Sequence, residues 1–298
     1  MRNSNSVERV QIDLSVKEER LVARQFMGRL QWEMIVVGLG QVVVWLLNWY
    51  FVFSETYDLL IGFVVALLCA CFAYLPSHEG QHGNISGKQK EWRWIDSFIG
   101  HISLVPIAAS FDVLKVTHMK HHAYTNNTQR DVDVNSSGDH WWNAAHGVHL
   151  GYPKKILRLH AEEDPKFAEG IRKGVTIIKL YLVIRLTLVL LFPLETLLLW
   201  WLPSKISASY LAVFFSWFPH HPNAREGRYL DTKFWTIPFP RYFCQSMQTH
   251  VIHHMYPNIP HWDEPKAMEA LRPFMIERGI IGAEKIPKQV RFNPLITR

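Results

Sequence analysis

Residues 32–53 read WEMIVVGLGQVVVWLLNWYFVF and residues 57–76 read YDLLIGFVVALLCACFAYLP, with only Ser54-Glu55-Thr56 between them. The first run is interrupted by Glu33, Gln41 and Asn48 alone, and the second carries no charge after Asp58. At about 1.5 Å of rise per residue, about 20 helical residues cross a hydrocarbon core, so each run predicts a transmembrane helix. The three-residue link permits only a helical hairpin. Outward from this pair, Val175–Trp201 predicts a third span, with Lys179 and Arg185 early and Glu195 late. Ile206–Pro219 predicts a shorter fourth after the Pro203-Ser204 break. Ile95–Phe111 is apolar but holds Asp96, His101 and Pro106, which is the pattern of a re-entrant or interfacial segment. The chain thus reads as all-α and multi-pass, with about four transmembrane helices in two hairpins.

Charge supports the same arrangement. Residues 1–31 hold six Lys or Arg, residues 77–174 twelve and residues 220–298 eleven, whereas the links 54–56 and 202–205 share Lys205 alone. The positive-inside rule then puts both termini and the large middle segment in the cytoplasm. The net charge of +6 is partitioned between apolar runs rather than gathered into a stripe with interleaved aromatics, which argues against a nucleic-acid partner. Residues 1–31 lack an apolar core and cleavage site, so no signal peptide is expected. Cys69, Cys71 and Cys244 form neither a CxxC pair nor an even framework, which excludes a disulfide scaffold and a zinc knuckle. Residues 16–30 suit an amphipathic helix, lying on the membrane surface or facing a core.

The 16 histidines are the unusual count, and eight of them fall into three boxes: His78-Glu-Gly-Gln-His82, His118-Met-Lys-His121-His122 and His250-Val-Ile-His253-His254. On a helix, positions i, i+3 and i+4 share a face, so each box aims two or three imidazoles one way. Chance would supply roughly 0.05 HxxHH motifs at this histidine content, and two are present. The first box follows the second span, the second follows the re-entrant segment and the third lies about 30 residues past the fourth run, so all three are expected on the same side of the membrane. Eight imidazoles exceed the four ligands of one tetrahedral zinc, so the number favours two ions, while imidazole alone leaves iron, copper, nickel and zinc open. Two redox metals beside a membrane point to oxygen chemistry on a lipid.

This HxxxH, HxxHH, HxxHH series, at these spacings and over roughly residues 32–260, resembles the membrane-bound fatty acid desaturase superfamily, whose relatives include carotenoid hydroxylases and ketolases. The stretch HHAYTNNTQRDVD after the second box is similar to the HHxxTNxPxxDPD of lipid and carotenoid enzymes, with Thr128 and Val132 where proline is usual. The resemblance implies a single desaturase-like domain over residues 1–298. In it, 1–31 form a cytoplasmic or interfacial segment, 32–260 the membrane and histidine-box core, and 261–298 a cytoplasmic C-terminal segment. It further implies a cytoplasmic helical cap holding two iron ions, bound by His78, His82, His118, His121, His122, His250, His253 and His254. A ninth ligand is expected between the last span and the third box, where Pro219-His220-His221 stands; His220 is preferred over His221. The implied reaction uses O2 and external electrons to desaturate a fatty acyl chain. Hydroxylation or ketolation of a carotenoid or other hydrophobe on the same scaffold is the alternative. A non-catalytic metal-binding membrane protein is a third reading, disfavoured because no histidine lies well inside a span.

Around the boxes, Asp131 and Asp133 are expected either to accept Nδ1–H bonds from ligand imidazoles or to cap a turn. Glu79 should point off the ligand face, solvated or behind the site, and His101 should be buried and hydrogen-bonded. His140, Trp141, Trp142, His146 and His149 read as a lipid-interface cluster. His140 and His160 should tolerate alanine. Residues 262–278 predict a helix with Asp263 as N-cap and Gly279 past its end. With no Fe–S cysteine set and no GxGxxG in a strand–helix context, the chain should need a separate electron carrier with its reductase, of ferredoxin, rubredoxin or cytochrome b5 type. Lys115 and Lys120 are the first candidates for its docking.

Overall fold

The computed structural model describes residues 13–222 and 225–291; the basic residues counted before and after these lie outside the described residues. The described chain is helical, with one isolated bridge between Lys233 and Ile281. Its main helices are α1 (Val16–Arg24), α2 (Trp32–Phe53), α3 (Leu59–His82, loosened at Ala73), α4 (Arg93–Ile102) and α5 (Phe111–Tyr124). There follow α6 (Trp141–Gly147), α7 (Lys154–Glu163), α8 (Pro165–Leu191), α9 (Pro193–His220), α10 (His250–Met255) and α11 (Glu264–Glu277).

Four of these, α2, α3, α8 and α9, are long and apolar enough to cross a bilayer, at 22, 24, 27 and 28 residues. Their outward faces expose Val36, Val43, Leu60, Val64, Leu186 and Leu190, side chains that water would not tolerate as one continuous belt. Asp58 starts α3 by accepting from the amides of Leu60 and Ile61. Asn48 of α2 donates to the Gly62 carbonyl at 2.9 Å and accepts from the Tyr57 hydroxyl at 2.6 Å, tying α2 to α3.

The last two spans depart from the reading of the sequence. The third helix begins at Asp164-Pro165, where Asp164 caps the amides of Lys166 and Phe167, and it ends at Leu191. Pro193 holds the preceding Phe192 extended (φ −141°), so the chain turns there, and not at Pro203-Ser204. The fourth span is therefore a full 28 residues with Ser204 and Lys205 inside it. Pro203 is absorbed because the helix widens to π geometry over Leu197–Trp201. The ring forbids the usual bond to the Leu199 carbonyl, which accepts from the Trp45 indole at 3.1 Å instead.

The segment 90–107 meets α5 at a bend of 103°. His101 is not buried, however: its ring lies against Phe111 and its side chain is 42% exposed, 3.7 Å from Asp112. Beyond the spans, α1, α10 and α11 share one core of Ala23, Val251, Ile252, Met255, Met268, Leu271 and Met275, with Val22, Phe26 and Met27 packed on it. The amphipathic face of α1 is thus a core face. Asp263 caps α11 in position but spends its carboxylate on Arg29, and Gly279 follows at φ +69°.

His160 corrects another expectation. It is fully buried, its Nε2 donates to the Arg130 carbonyl at 2.7 Å, and its ring stacks on Tyr124. His160→Ala should therefore cost about 2 kcal/mol through a cavity and an orphaned carbonyl, whereas His140→Ala stays within about 0.5 kcal/mol; unfolding of the two variants in detergent compares them. In the same assay Trp45→Phe, which strands the Leu199 carbonyl, should cost about 1–3 kcal/mol. Trp49→Phe, whose buried indole N–H has no partner, should cost less than Trp45→Phe.

Candidate metal centre

Four helices bring the histidines together. His78 and His82 occupy the last two turns of α3, His118, His121 and His122 one face of α5, His220 the end of α9, and His250, His253 and His254 one face of α10. Local sequence explains each placement. Gly80 sits inside the first box because any Cβ there would lie 2.4 Å from the Asp96 carbonyl, so α4 can close against α3 only at glycine. Gly83, at φ +70°, ends α3 directly after His82. On α10 the residues between the histidines, Val251 and Ile252, point into the cap core and fix the opposite face toward the site.

The rings form two groups. His78, His82, His118 and His253 each offer a nitrogen within 4.8 Å of the others, and so do His121, His220 and His254. His122 and His250 connect them: the His122 ring stacks on His254 at 4.3 Å and lies 4.8 Å from His253, and His250 lies 4.8 Å from His254 and 5.1 Å from His253. His221 is half-buried beside the group, so it is His220 that the fold turns inward.

The nitrogen separations test whether metal suits these residues. His118 Nε2 is 2.9 Å from His82 Nε2 and 3.1 Å from His122 Nε2, which is itself 2.9 Å from His253 Nε2. Ligands about 2.1 Å from a shared ion and roughly at right angles lie about 3 Å apart. His78 leaves both ring nitrogens buried without a hydrogen-bond partner, and His254 leaves Nε2 so. Burial holds His250, His253 and His254 well below the usual imidazole range, which keeps them neutral with lone pairs available. The donor set fits metal.

Carboxylates and carbonyls stand behind the imidazoles. His121 Nδ1 donates to Asp131 at 3.0 Å, and the His220 Nδ1 donates to the Asp231 carbonyl at 2.7 Å. These bonds leave each Nε2 as the lone-pair nitrogen facing inward. Asp131 also accepts from the amides of Asn126 and Asp133, so it supports the imidazole and shapes the turn together. Burial alone would raise Asp131, but His121 and those two amides hold it below the usual carboxylate range. Glu79 is buried rather than solvated; it accepts from Gln31 at 2.6 Å and from the His261 amide at 3.0 Å, with His78 Nδ1 3.5 Å away. Glu264 stands behind His253 Nδ1 at 3.9 Å and Asp231 behind His254 Nδ1 at 3.9 Å. Burial pushes the Asp231 carboxyl up to about 7. Glu264 and Asp231 have no signal in the sequence, because only tertiary packing carries them to the site.

A cavity of about 290 Å³ opens on His78, His118, His121 and His250. Ile107, Leu114, Leu211, Ala212 and Phe215 give it apolar walls, with Asp133, Ser136, Tyr152, Ser204, Ser207 and Ser216 among its polar points.

Three proteins of known activity are similar to this chain. The sn-1 acyl-lipid omega-3 desaturase (ferredoxin) of Nostoc sp. is 24% identical over 68% of the chain and 64% of its own length. The chloroplastic sn-2 acyl-lipid omega-3 desaturase (ferredoxin) of Arabidopsis thaliana is 23% identical over 68% of the chain and 52% of its own. The sn-1 oleoyl-lipid 12-desaturase of Picosynechococcus sp. is 22% identical over 66% and 51%. The chain thus spans about half to two thirds of these relatives' lengths. Residues 54–281, which include all nine inward-facing histidines, match the family described as Fatty acid desaturase, and the chain belongs to that family.

Proposed function

We propose that this protein is a membrane oxidoreductase that desaturates a fatty acyl chain, using O2 and electrons from an external carrier at a centre of two iron ions. The observation that carries this reading is the pair of histidine groups on the wall of an apolar cavity that runs between the membrane spans. His78, His82, His118 and His253 would hold one ion and His121, His220 and His254 the other, with His122 and His250 between them. Bound iron supplies the power to oxidise an unactivated C–H bond, which no side chain can do. The chain's own residues do the rest. Ile107, Leu114, Leu211 and Phe215 position a methylene segment beside His78 and His118 and keep water out. Asp131 holds the proton on His121 Nδ1, and the Asp231 carbonyl holds that on His220 Nδ1, so the opposite nitrogens stay fixed inward.

The named relatives support an acyl-lipid substrate over a carotenoid, and two of them support a ferredoxin-type carrier. Lys120 is already paired with Asp164 at 2.9 Å, which leaves Lys115, over the Phe111 ring, as the better candidate for its first contact. The basic segments and the position of the histidines support two hairpins with the cap, the site and both termini on the cytoplasmic side.

Detergent-purified protein should contain about two iron atoms per chain, and acyl-lipid product should form only with ferredoxin and its reductase. One tightly bound zinc without iron would overturn the reading. Alanine at any of the nine histidines should abolish turnover, and Asp131→Asn should lower iron occupancy or activity by about 10–100-fold. Cysteine placed at Ser54 should label from outside and cysteine at Lys154 only from inside; the reverse pattern would invert the topology.

A further inference from the structure

A second and larger cavity, of about 450 Å³, lies away from the histidines and shares no lining residue with the first. Met34 and Val37 of α2 and Phe72 and Leu75 of α3 form its apolar half. Arg241, Gln245, Ser246 and His261, from the segments around the third box, form its polar half.

Arg241 is the unusual member. Its side chain is 94% buried, since the residue is only 6% exposed, and it has no carboxylate partner among the described residues. Among the described residues its guanidinium reaches the Arg291 carbonyl at 3.2 Å, the Tyr242 hydroxyl at 3.3 Å and Ser246 Oγ at 3.5 Å and lies 4.9 Å from the centre of the Tyr242 ring, while its buried Nε has no hydrogen-bond partner. A buried guanidinium is costly without a counter-charge, and its planar fork matches a phosphate. Beside it, the 6%-exposed Gln245 leaves Oε1 without a donor while its Nε2 is spent on the Cys71 carbonyl and Tyr210. Gln245 and Ser246 both hold left-handed backbone (φ +50° and +59°), which is strain retained at this turn. Tyr242 and Trp262, which also line the cavity, are each more than half exposed, as aromatic side chains are at a membrane–water interface.

We propose that this cavity binds a membrane phospholipid, its phosphate paired with Arg241 and one acyl chain lying along Met34, Val37, Phe72 and Leu75. The orphan Gln245 oxygen takes a headgroup O–H or N–H. A free inorganic anion would satisfy Arg241 but leave the apolar half uncovered, and a neutral lipid would do the reverse. The site is separate from the metal centre, so its occupancy is read without turnover.

The test uses the full-length protein, stripped of lipid in detergent, with binding read by native mass spectrometry and by the shift in unfolding temperature. The probes are dioleoyl phosphatidylglycerol, dioleoylglycerol and inorganic phosphate. Phosphatidylglycerol should bind at least about tenfold more tightly than either of the others. Arg241→Gln should weaken it about tenfold or more, and Val37→Trp, which fills the apolar half and leaves Arg241 intact, should weaken it comparably. Dioleoylglycerol binding as tightly as phosphatidylglycerol would reduce the cavity to an apolar groove. Inorganic phosphate binding as tightly, and unaffected by Val37→Trp, would make it an anion site only. Unchanged phosphatidylglycerol binding in Val37→Trp would overturn the proposal even if Arg241→Gln failed to fold.

Discussion

Nine imidazoles packed into one space set the terms for the rest of this fold. Neutral imidazole has one N–H and one lone pair, and burial excludes the protonated form for those on α10. Nitrogens within about 3 Å of one another cannot all share protons, and their lone pairs converge where a metal ion would fit. The surroundings are arranged for that. Wherever a ring's outer nitrogen can be traced, it meets a carboxylate or a carbonyl: Asp131 behind His121 and the Asp231 carbonyl behind His220, with Glu79, Glu264 and the Asp231 carboxylate farther out.

Those supports tie the helices around the third box together. Glu264 begins α11 and accepts from Thr249 at 2.6 Å and from His261 at 2.9 Å, so the C-terminal helix is tied to the back of the third box. Glu79 is reached from α2 through Gln31 and from the cap through the His261 amide. The α1 helix joins the same assembly: its buried Glu19 accepts from Tyr256, just past α10, at 2.7 Å and from Arg278 at 3.2 Å. Elements far apart in sequence therefore meet behind the third box.

The membrane part solves a different problem, that of backbone carbonyls left over where helices must deform. Pro203 and Pro219 fall in α9, and each follows a stretch of π geometry. The Leu199 carbonyl is answered by Trp45 and the Trp200 indole by the Val105 carbonyl, so the loosened span is stitched to α2 and to the re-entrant segment. The same deformed span carries Ser204, Ser207 and Ala212 on the cavity wall and His220 in the histidine cluster.

Much of this was legible in the sequence because it is written in local periodicities. Runs of about 20 apolar residues, histidines at i, i+3 and i+4, and asymmetric basic residues each act within one helix or one link, so the spans α2 and α3, the three boxes and the family resemblance could be read directly. Only the tertiary structure decided the rest. The third and fourth spans were misplaced because hydropathy cannot distinguish Pro203, absorbed by a π turn and the Trp45 indole, from Pro193, which reverses the chain. Glu79 was open between solvent and a place behind the site, and His160 looked dispensable, because burial depends on what other helices bring against a residue. Asp231, Glu264 and Arg241 carry no mark in the sequence at all: each acquires its role from partners distant along the chain, and that adjacency exists only once the helices have packed.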